Sequence, residues 1–598
     1  MNVSEYIFDF FAKKAVDTVF MITGGQAMFL NDAVGKHGGY KIVFNHHEQA
    51  AAMSADAYGR IKNKPAIALV TAGPGAVNAI NGVVGGYTDS APMIVISGQS
   101  GLQFVRYQEE TGIRQHGIQG INVKPLVEKV TKYFKTIDDP EMLNIYLEEA
   151  YESATTGRPG PVWIDVPLDV QRMTVDVGAL KKYAPRPVAV NLTAVEHAVS
   201  KTYELLKNAK RPIILAGQGV RLSGGTDLFR KFVGMANIPV LTSRLGIDLI
   251  ESANRLYVGR PGNYGERSAN FAVQNADLII AVGSRLASAL VGHDAKNFGK
   301  NAYKLVVDID QKELDKPGVK IDYKANIDCR DFFRVLTEKF SAHPLPKYDE
   351  WIAVCNNWKT KYPVVLAEYK QETPVNSYYF VDRLSDIAPA EAAVLVDTGS
   401  CFHVACQVWK VKQGQNFLTT GGLSSMGYWV AAIGACMANA GGETICITGD
   451  GSLQMNIQEF ATIKQNNLPI KVFILNNNGY LLIRHTQKNF MDGRLLGESP
   501  ASGLWCPDSL EIAKAYGIKG VRIDSVAGVD AGIKEVLAHK GPVICDVMTP
   551  EWQLLIPRVS SEKLADGTLV SRPYEDMFPF LPRDEFLSNM IVKPDKAT

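Results

Sequence analysis

Short β-branched runs that end in glycine recur along the whole chain: AIALVTAGPG from Ala66, MIVISG from Met93, IILAGQG from Ile213, LIIAVGS from Leu278, VLVDTGS from Val394 and ICITGDG from Ile445. They are continuously apolar rather than alternating, the pattern of strands buried on both faces of a parallel sheet. Longer stretches with apolar residues at helical spacing separate them, which predicts an α/β protein of strands and crossover helices. Ligands in such sheets sit beyond the C-terminal ends of the strands. The first stretch, MNVSEYIFDFFAKKAVDTVF, sets Asp9, Lys13, Lys14 and Asp17 among apolar residues at the same spacing and predicts an amphipathic helix, with no small-residue cleavage site after it.

Proline-bearing breaks at KKYAPRPVAVN (Lys181 to Asn191) and HPLPKY (His343 to Tyr348) divide the pattern. Three doubly wound parallel-sheet domains follow, over 1–180, 190–342 and 350–557, with a tail or lid over 558–598. Charge changes the picture only by exclusion. The 63 Lys+Arg nearly cancel the 62 Asp+Glu, so no global field draws in nucleic acid or an anionic membrane. The eight cysteines, all between Cys329 and Cys545 and without a CxxC pair, fit reduced thiols in a cytoplasmic protein. No uninterrupted apolar stretch reaches the roughly 18 residues of a membrane span.

The segment Ile445 to Tyr480, ICITGDGSLQMNIQEFATIKQNNLPIKVFILNNNGY, parses as strand, glycine turn, helix and second strand. A right-handed crossover makes its strands parallel, so Asp450 after the first and Asn477 after the second can meet at one sheet edge. With the Gly479 carbonyl they offer hard oxygen ligands of the kind Mg²⁺ takes alongside phosphate oxygens. Backbone N–H groups of Gly451 and Ser452 would face the same phosphates. Alone, Gly-Asp-Gly is a tight turn and Asn-Asn-Asn a polar loop; on one βαβ unit they make a site.

This stretch closely resembles the thiamine-diphosphate signature, Gly-Asp-Gly followed about 25 to 30 residues later by Asn-Asn. The family needs a carboxyl that hydrogen-bonds the cofactor's pyrimidine N1′ and so activates the thiazolium carbon. FNHHEQAAAMSADAYGR, Phe44 to Arg60, supplies Glu48 in that role, and His46 and His47 beside it read as structural or solvent-facing. TAGPGAVNAINGVVGGYTDSAPMIVISGQ, from Thr71, resembles the pyrimidine-binding domain of acetolactate synthases. The resemblance implies cofactor contacts at Gly24, Gly25, Pro74 and Asn78 in that domain. In the diphosphate-binding domain it implies Gly399, Ser400, Gly451, Ser452, Asn477, Gly479 and Tyr480, with Met426 in TTGGLSSMGY as the wedge under the thiazolium. It also implies a homodimer or homotetramer with active sites between subunits.

Similarity to acetolactate synthases extends through GRPGPVWIDVPLDVQ and KGPVICDVMTP, but the substrate positions depart. Thr486 stands where the synthases place an acceptor-selecting tryptophan, and their Phe-Gln-Glu motif reads Ile118-Gln119-Gly120. Simple decarboxylases place an acid near Ile483 to protonate the two-carbon carbanion. Isoleucine cannot, and a dry apolar pocket preserves the carbanion for attack on an acceptor. The expected reaction is decarboxylation of a 2-oxo acid, pyruvate first, and transfer to a second 2-oxo acid or a keto-sugar. His116 and Gln119 either orient a substrate carboxylate or carbonyl or belong to a surface loop. A lyase or C–C hydrolase of the same cofactor is the alternative, and a catalytically idle scaffold the third; intact Glu48, Asp450 and Asn477 argue against the last.

Acetolactate synthases bind FAD in the middle, Rossmann-like domain. The resemblance implies flavin contacts here at Arg158, Gly217, Gly219, Thr242, Gly265, Arg285, Asp308 and Asp310. Leu286-Ala287-Ser288 replaces the family's paired aspartates after Arg285, which keeps a flavin-free domain open as the other reading.

Overall fold

The computed structural model describes residues 1–185, 190–563 and 569–593. The first joint expected from sequence falls partly outside these residues, at 186–189, as do 564–568 and 594–598 of the tail. Three six-stranded, all-parallel sheets follow one another along the chain. In spatial order the first is Lys41–Phe44, Thr18–Met21, Ala66–Val70, Met93–Gln99, Pro161–Pro167, Tyr133–Thr136. The second is Tyr323–Asn326, Tyr303–Asp308, Leu278–Val282, Pro212–Ala216, Val240–Thr242, Tyr257–Gly259. The third is Asn416–Thr419, Ala393–Val396, Thr444–Gly449, Ile470–Asn476, Val543–Met548, Lys519–Ile523. The central runs are buried along their whole length, as continuous apolar composition requires.

Each sheet begins in its interior and then grows in both directions, so each has a point where the strand order reverses and a crevice opens. In the first sheet that point lies between Thr18–Met21 and Ala66–Val70, with Gly24 and Thr71 beyond the strands. In the second it lies between Pro212–Ala216 and Leu278–Val282, leading to Gly217 and Gly283. In the third it lies between Ala393–Val396 and Thr444–Gly449, leading to Asp397 and Asp450. The topology thus sets three ligand crevices before any side chain is considered.

The outer domains share one apolar core. Helix Glu48–Lys62, rich in buried alanine, packs on helix Ala431–Ala438 of the third domain. The contact is so close that a Cβ on Gly434 would lie 1.8 Å from the Ser54 carbonyl oxygen. At its start the same helix is tied across by Glu459, whose carboxylate accepts from Asn45 Nδ2 (3.0 Å) and the His46 N–H (2.8 Å). The His46 ring meets Thr462 Oγ1 at 3.0 Å, so this histidine joins domains. The N-terminal helix runs Val3–Lys13 behind an Asn2/Glu5 capping box and buries Ile7, Phe8 and Phe11.

Beyond the third sheet the chain returns to the middle domain. Tyr574, Met577 and Phe586 enter the middle domain's core. Asn270 Nδ2 donates to the Tyr574 carbonyl (2.9 Å) and Arg267 to those of Met577 (3.1 Å) and Pro579 (2.7 Å). All eight cysteines carry free thiols. No described helix is long and apolar enough to cross a membrane.

Candidate active site

Strands Thr444–Gly449 and Ile470–Asn476 are adjacent and parallel, with Gly449 opposite Leu475, so Asp450 and Asn477 leave the sheet side by side. Asp450 is 3 % and Asn477 4 % exposed. Asp450 Oδ2 accepts the Gly479 N–H at 2.7 Å, while its Oδ1 and the Asn477 Oδ1 are buried with no partner. Two unsatisfied acceptor oxygens in one buried place are costly unless a cation takes them. Burial pushes the Asp450 carboxyl up to about 6, against the Gly479 and Asn477 N–H groups that pull it down. The donor set, a carboxylate, an amide oxygen and a backbone carbonyl, fits Mg²⁺ rather than a softer ion. No group of three or more His, Cys, Asp and Glu side chains gathers among the described residues in a way that would hold another metal.

The loop is braced by a residue that the sequence pattern does not single out. The buried Arg484 guanidinium donates to the carbonyls of Asn477 (3.3 Å), Asn478 (3.1 Å) and Glu498 (3.3 Å), and also to that of Glu551. Its charge is met by Glu498 at 2.5 Å. Tyr480 donates its N–H to the Glu498 carbonyl (2.8 Å) and lays its ring over Gly451, where a Cβ would meet the ring at 2.2 Å.

Asp397 is the second residue missed. It directly follows strand Ala393–Val396 as Asp450 follows the neighbouring strand, and that shared position was the available signal. Its oxygens accept from Thr448 Oγ1 (2.8 Å), Ser452 Oγ (2.6 Å) and the N–H groups of Thr398 and Tyr428. Ser452 Oγ in turn accepts the Gly427 N–H at 2.9 Å, so this hydroxyl is committed within the protein. Gly399 has φ +93°, a backbone few side chains tolerate, and turns the chain into helix Ser400–Val408. Met426 is half-buried between these fixed points.

The second half of the site lies in the first domain. Glu48 opens its helix next to His47, whose ring caps it through the Gln49 N–H. Asn78 Nδ2 donates to Glu48 Oε2 at 3.1 Å. Pro74 is the first residue of helix Pro74–Asp89, entered through Gly73 at φ +62°. A Cβ on Gly75 would sit 3.3 Å from Glu48 Oε1 and one on Gly24 2.4 Å from Thr71; Gly25 faces open space. The Gln119 carbonyl closes over Gly73, within 2.4 Å of where a Cβ would stand, which brings the His116–Gln119 loop to this crevice. His116 packs edge-on to Phe104, ring centres 4.7 Å apart, and Gln119 is exposed. Gly120 cannot be enlarged: a Cβ would lie 2.1 Å from the His116 carbonyl oxygen. Among the described residues no hydrogen bond or ion pair joins Glu48 to Asp450 or Asn477; its partner, Asn78, is in its own domain. Ile483 is 43 % exposed on helix Leu481–Phe490, and Thr486 is exposed with its hydroxyl on the Leu482 carbonyl.

A third cleft lies where all three domains meet. Arg158, Gly219, Arg285 and Asp308 line it, whereas Gly217, Thr242, Gly265 and Asp310 stand off its wall. Asp310 instead takes Arg158 Nη1 at 2.8 Å. Gly217 and Gly219 are glycines because the Gly283 turn presses on them; a Cβ would meet it at 2.2 and 2.7 Å. Arg244, also on the wall, lies over the Phe402 ring at 4.8 Å with a buried Nη2 that has no partner.

Fold and site together define an α/β protein whose buried, unpartnered oxygens gather beyond the C-terminal ends of adjacent parallel strands. Comparison with known proteins supplies the chemistry. Residues 1–126 match the N-terminal TPP binding domain of thiamine pyrophosphate enzymes, 199–336 their central domain and 397–547 their C-terminal TPP binding domain. The chain is 31 % identical over 577 residues to the acetolactate synthase large subunit of Cyanidium caldarium, covering 93 % of this chain and 94 % of that one. It is 30 % identical over 574 residues to the acetolactate synthase isozyme 2 large subunit of Escherichia coli K12, covering 95 % and 100 %. To the mitochondrial acetolactate synthase catalytic subunit of Saccharomyces cerevisiae it is 30 % identical over 576 residues, covering 92 % and 81 %. The chain belongs to the thiamine pyrophosphate enzymes, in the acetolactate synthase-like group, and transfers an aldehyde or ketone residue.

Proposed function

We propose that this protein decarboxylates a 2-oxo acid, pyruvate in the first instance, and ligates the two-carbon unit to a carbonyl acceptor, a second 2-oxo acid or a keto-sugar. The observation that carries the reading is the pair of unpartnered buried oxygens, Asp450 Oδ1 and Asn477 Oδ1, beyond two adjacent parallel strands. They would hold Mg²⁺ with the Gly479 carbonyl, and Gly399, Ser400, Gly451 and Ser452 would face the diphosphate. Thiamine diphosphate, when bound, supplies a carbon nucleophile and the electron sink for decarboxylation. Glu48 holds the proton at the pyrimidine nitrogen, its orientation set by Asn78. Met426 would support the thiazolium ring. Ile483, which has no proton to give, leaves ligation favoured over release of aldehyde.

The resemblance to acetolactate synthases further implies a homodimer or homotetramer in which Glu48 of one copy serves the metal ligands of another. The three-domain cleft is proposed to take FAD: Arg158, Gly219, Arg285 and Asp308 line it, and the buried Arg244 Nη2, which has no hydrogen-bond partner, offers a donor to it. Absence of flavin absorption from the purified protein would remove that part. The composition and free thiols support a cytoplasmic setting.

The test is incubation with pyruvate, Mg²⁺, thiamine diphosphate and a mixed acceptor set, with products read by mass. A ligation product is expected, and Glu48→Gln should lower kcat by about 10²- to 10⁴-fold with cofactor still bound. Acetaldehyde as sole product would replace ligase with decarboxylase; full turnover by Glu48→Gln would overturn the site.

A further inference from the structure

The segment from Thr419 to Tyr428 carries Met426 and is gripped at both ends, but not by the same domain. At its downstream end the third domain holds it, with the Gly427 N–H on Ser452 Oγ (2.9 Å) and the Tyr428 N–H on Asp397 Oδ1 (3.0 Å). At its upstream end the grip comes from the first domain. Asp89 Oδ2 accepts the Gly421 N–H at 2.8 Å and its Oδ1 the Gly422 N–H at 2.7 Å. Arg60 Nη1 donates to the Thr419 carbonyl at 2.9 Å. Asp89 is 3 % and Arg60 1 % exposed.

A carboxylate that takes two successive N–H groups, one on each oxygen, sets both the position and the direction of the chain leaving strand Asn416–Thr419. Glycine at both positions permits it: a Cβ on Gly421 would lie 2.8 Å from Leu245 and one on Gly422 2.5 Å from Thr88. The carboxylate is itself held, with Arg60 Nη1 3.8 Å from Oδ2 and Gln218 Nε2 donating to the Asp89 carbonyl at 2.9 Å. Between the two grips Leu423 and Ser424 are exposed. The place of Met426 therefore follows from where the ends are pinned.

We propose that Asp89 is a positioning residue for the cofactor, fixing the Gly421–Gly427 loop so that Met426 meets the thiazolium ring. This rests on the thiamine diphosphate reading above. The experiment compares unaltered protein with Asp89→Asn, which keeps the shape but turns an amide N–H toward one of the two glycine N–H groups. Thiamine diphosphate is titrated at saturating Mg²⁺ by quenching of tryptophan fluorescence, Trp429 lying next to the loop, and amide exchange is read over residues 420–427. The expected result is a Kd raised about tenfold and faster exchange confined to that segment. A lower melting temperature with unchanged Kd and unchanged local exchange would make Asp89 a packing residue and overturn the proposal. Should Asp89→Asn not fold, Gly422→Ala displaces the same N–H through Thr88 and is expected to weaken binding likewise; native affinity there overturns the proposal equally. An unaltered protein that shows no saturable cofactor binding would instead sink the thiamine reading itself.

Discussion

Asp165 lies inside strand Pro161–Pro167, fully buried, accepting from Ser97 Oγ at 2.5 Å and Gln99 Nε2 at 3.2 Å. Burial pushes its carboxyl up to about 7, more than these two donors pull it down. A native state that keeps a proton the unfolded chain has lost above about pH 4 is favoured at low pH, and that advantage is lost as pH rises through 7. Asp165→Asn removes the titration, and its hydrogen-bonding cost is the same at every pH. Relative to the unaltered protein, the variant should therefore gain about 1–2 kcal/mol between pH 5 and pH 7 in urea unfolding; a difference flat with pH would refute the assignment. At the same scale, three consecutive asparagines do three jobs. Asn476 ties to Asp546 at 3.0 Å, Asn477 keeps an oxygen free, and Asn478 takes φ +60° and bonds Glu551 at 2.8 Å. Residue type alone does not distinguish them; their places relative to the strand end do.

Among the elements, helix Glu48–Lys62 links most of what matters: Glu48 at its start, Ser54 against Gly434, and Arg60 on the Met426 loop near its end. Its small-residue face was visible in the sequence, but its partner was not. A methyl at Gly434 must push two helices apart, so Gly434→Ala should cost about 3 kcal/mol, read as a lower denaturation midpoint. Gly234→Ala, on an exposed turn of helix Thr226–Ala236 with nothing within 4 Å, should be neutral or stabilising by up to about 1 kcal/mol. Equal effects would show that the Ser54 contact carries no weight. The strands themselves were legible because continuous apolar runs closed by glycine have few other structural outcomes.

For the whole molecule, the proposed assembly of the site from two chains makes a statistical prediction. Glu48→Gln and Asp450→Ala are each expected to be inactive. Mixed, unfolded and refolded together, half of the resulting dimers pair one of each, and one of their two sites is unaltered. Activity should return to about a quarter of the native level; none would mean that Glu48 and Asp450 serve one site within one chain. The alternation of strand and helix, the sheet edge that collects Asp450 and Asn477, and the acid that opens the alanine helix could all be read along the chain, because each is encoded within a few dozen neighbouring residues. That Arg484 pairs with Glu498 beneath the asparagine loop, and that Arg60 and Asp89 hold a loop more than 330 residues away, emerged from the folded packing alone. Those contacts depend on how finished domains pack, and local patterning carries no record of which buried charge will meet which backbone group.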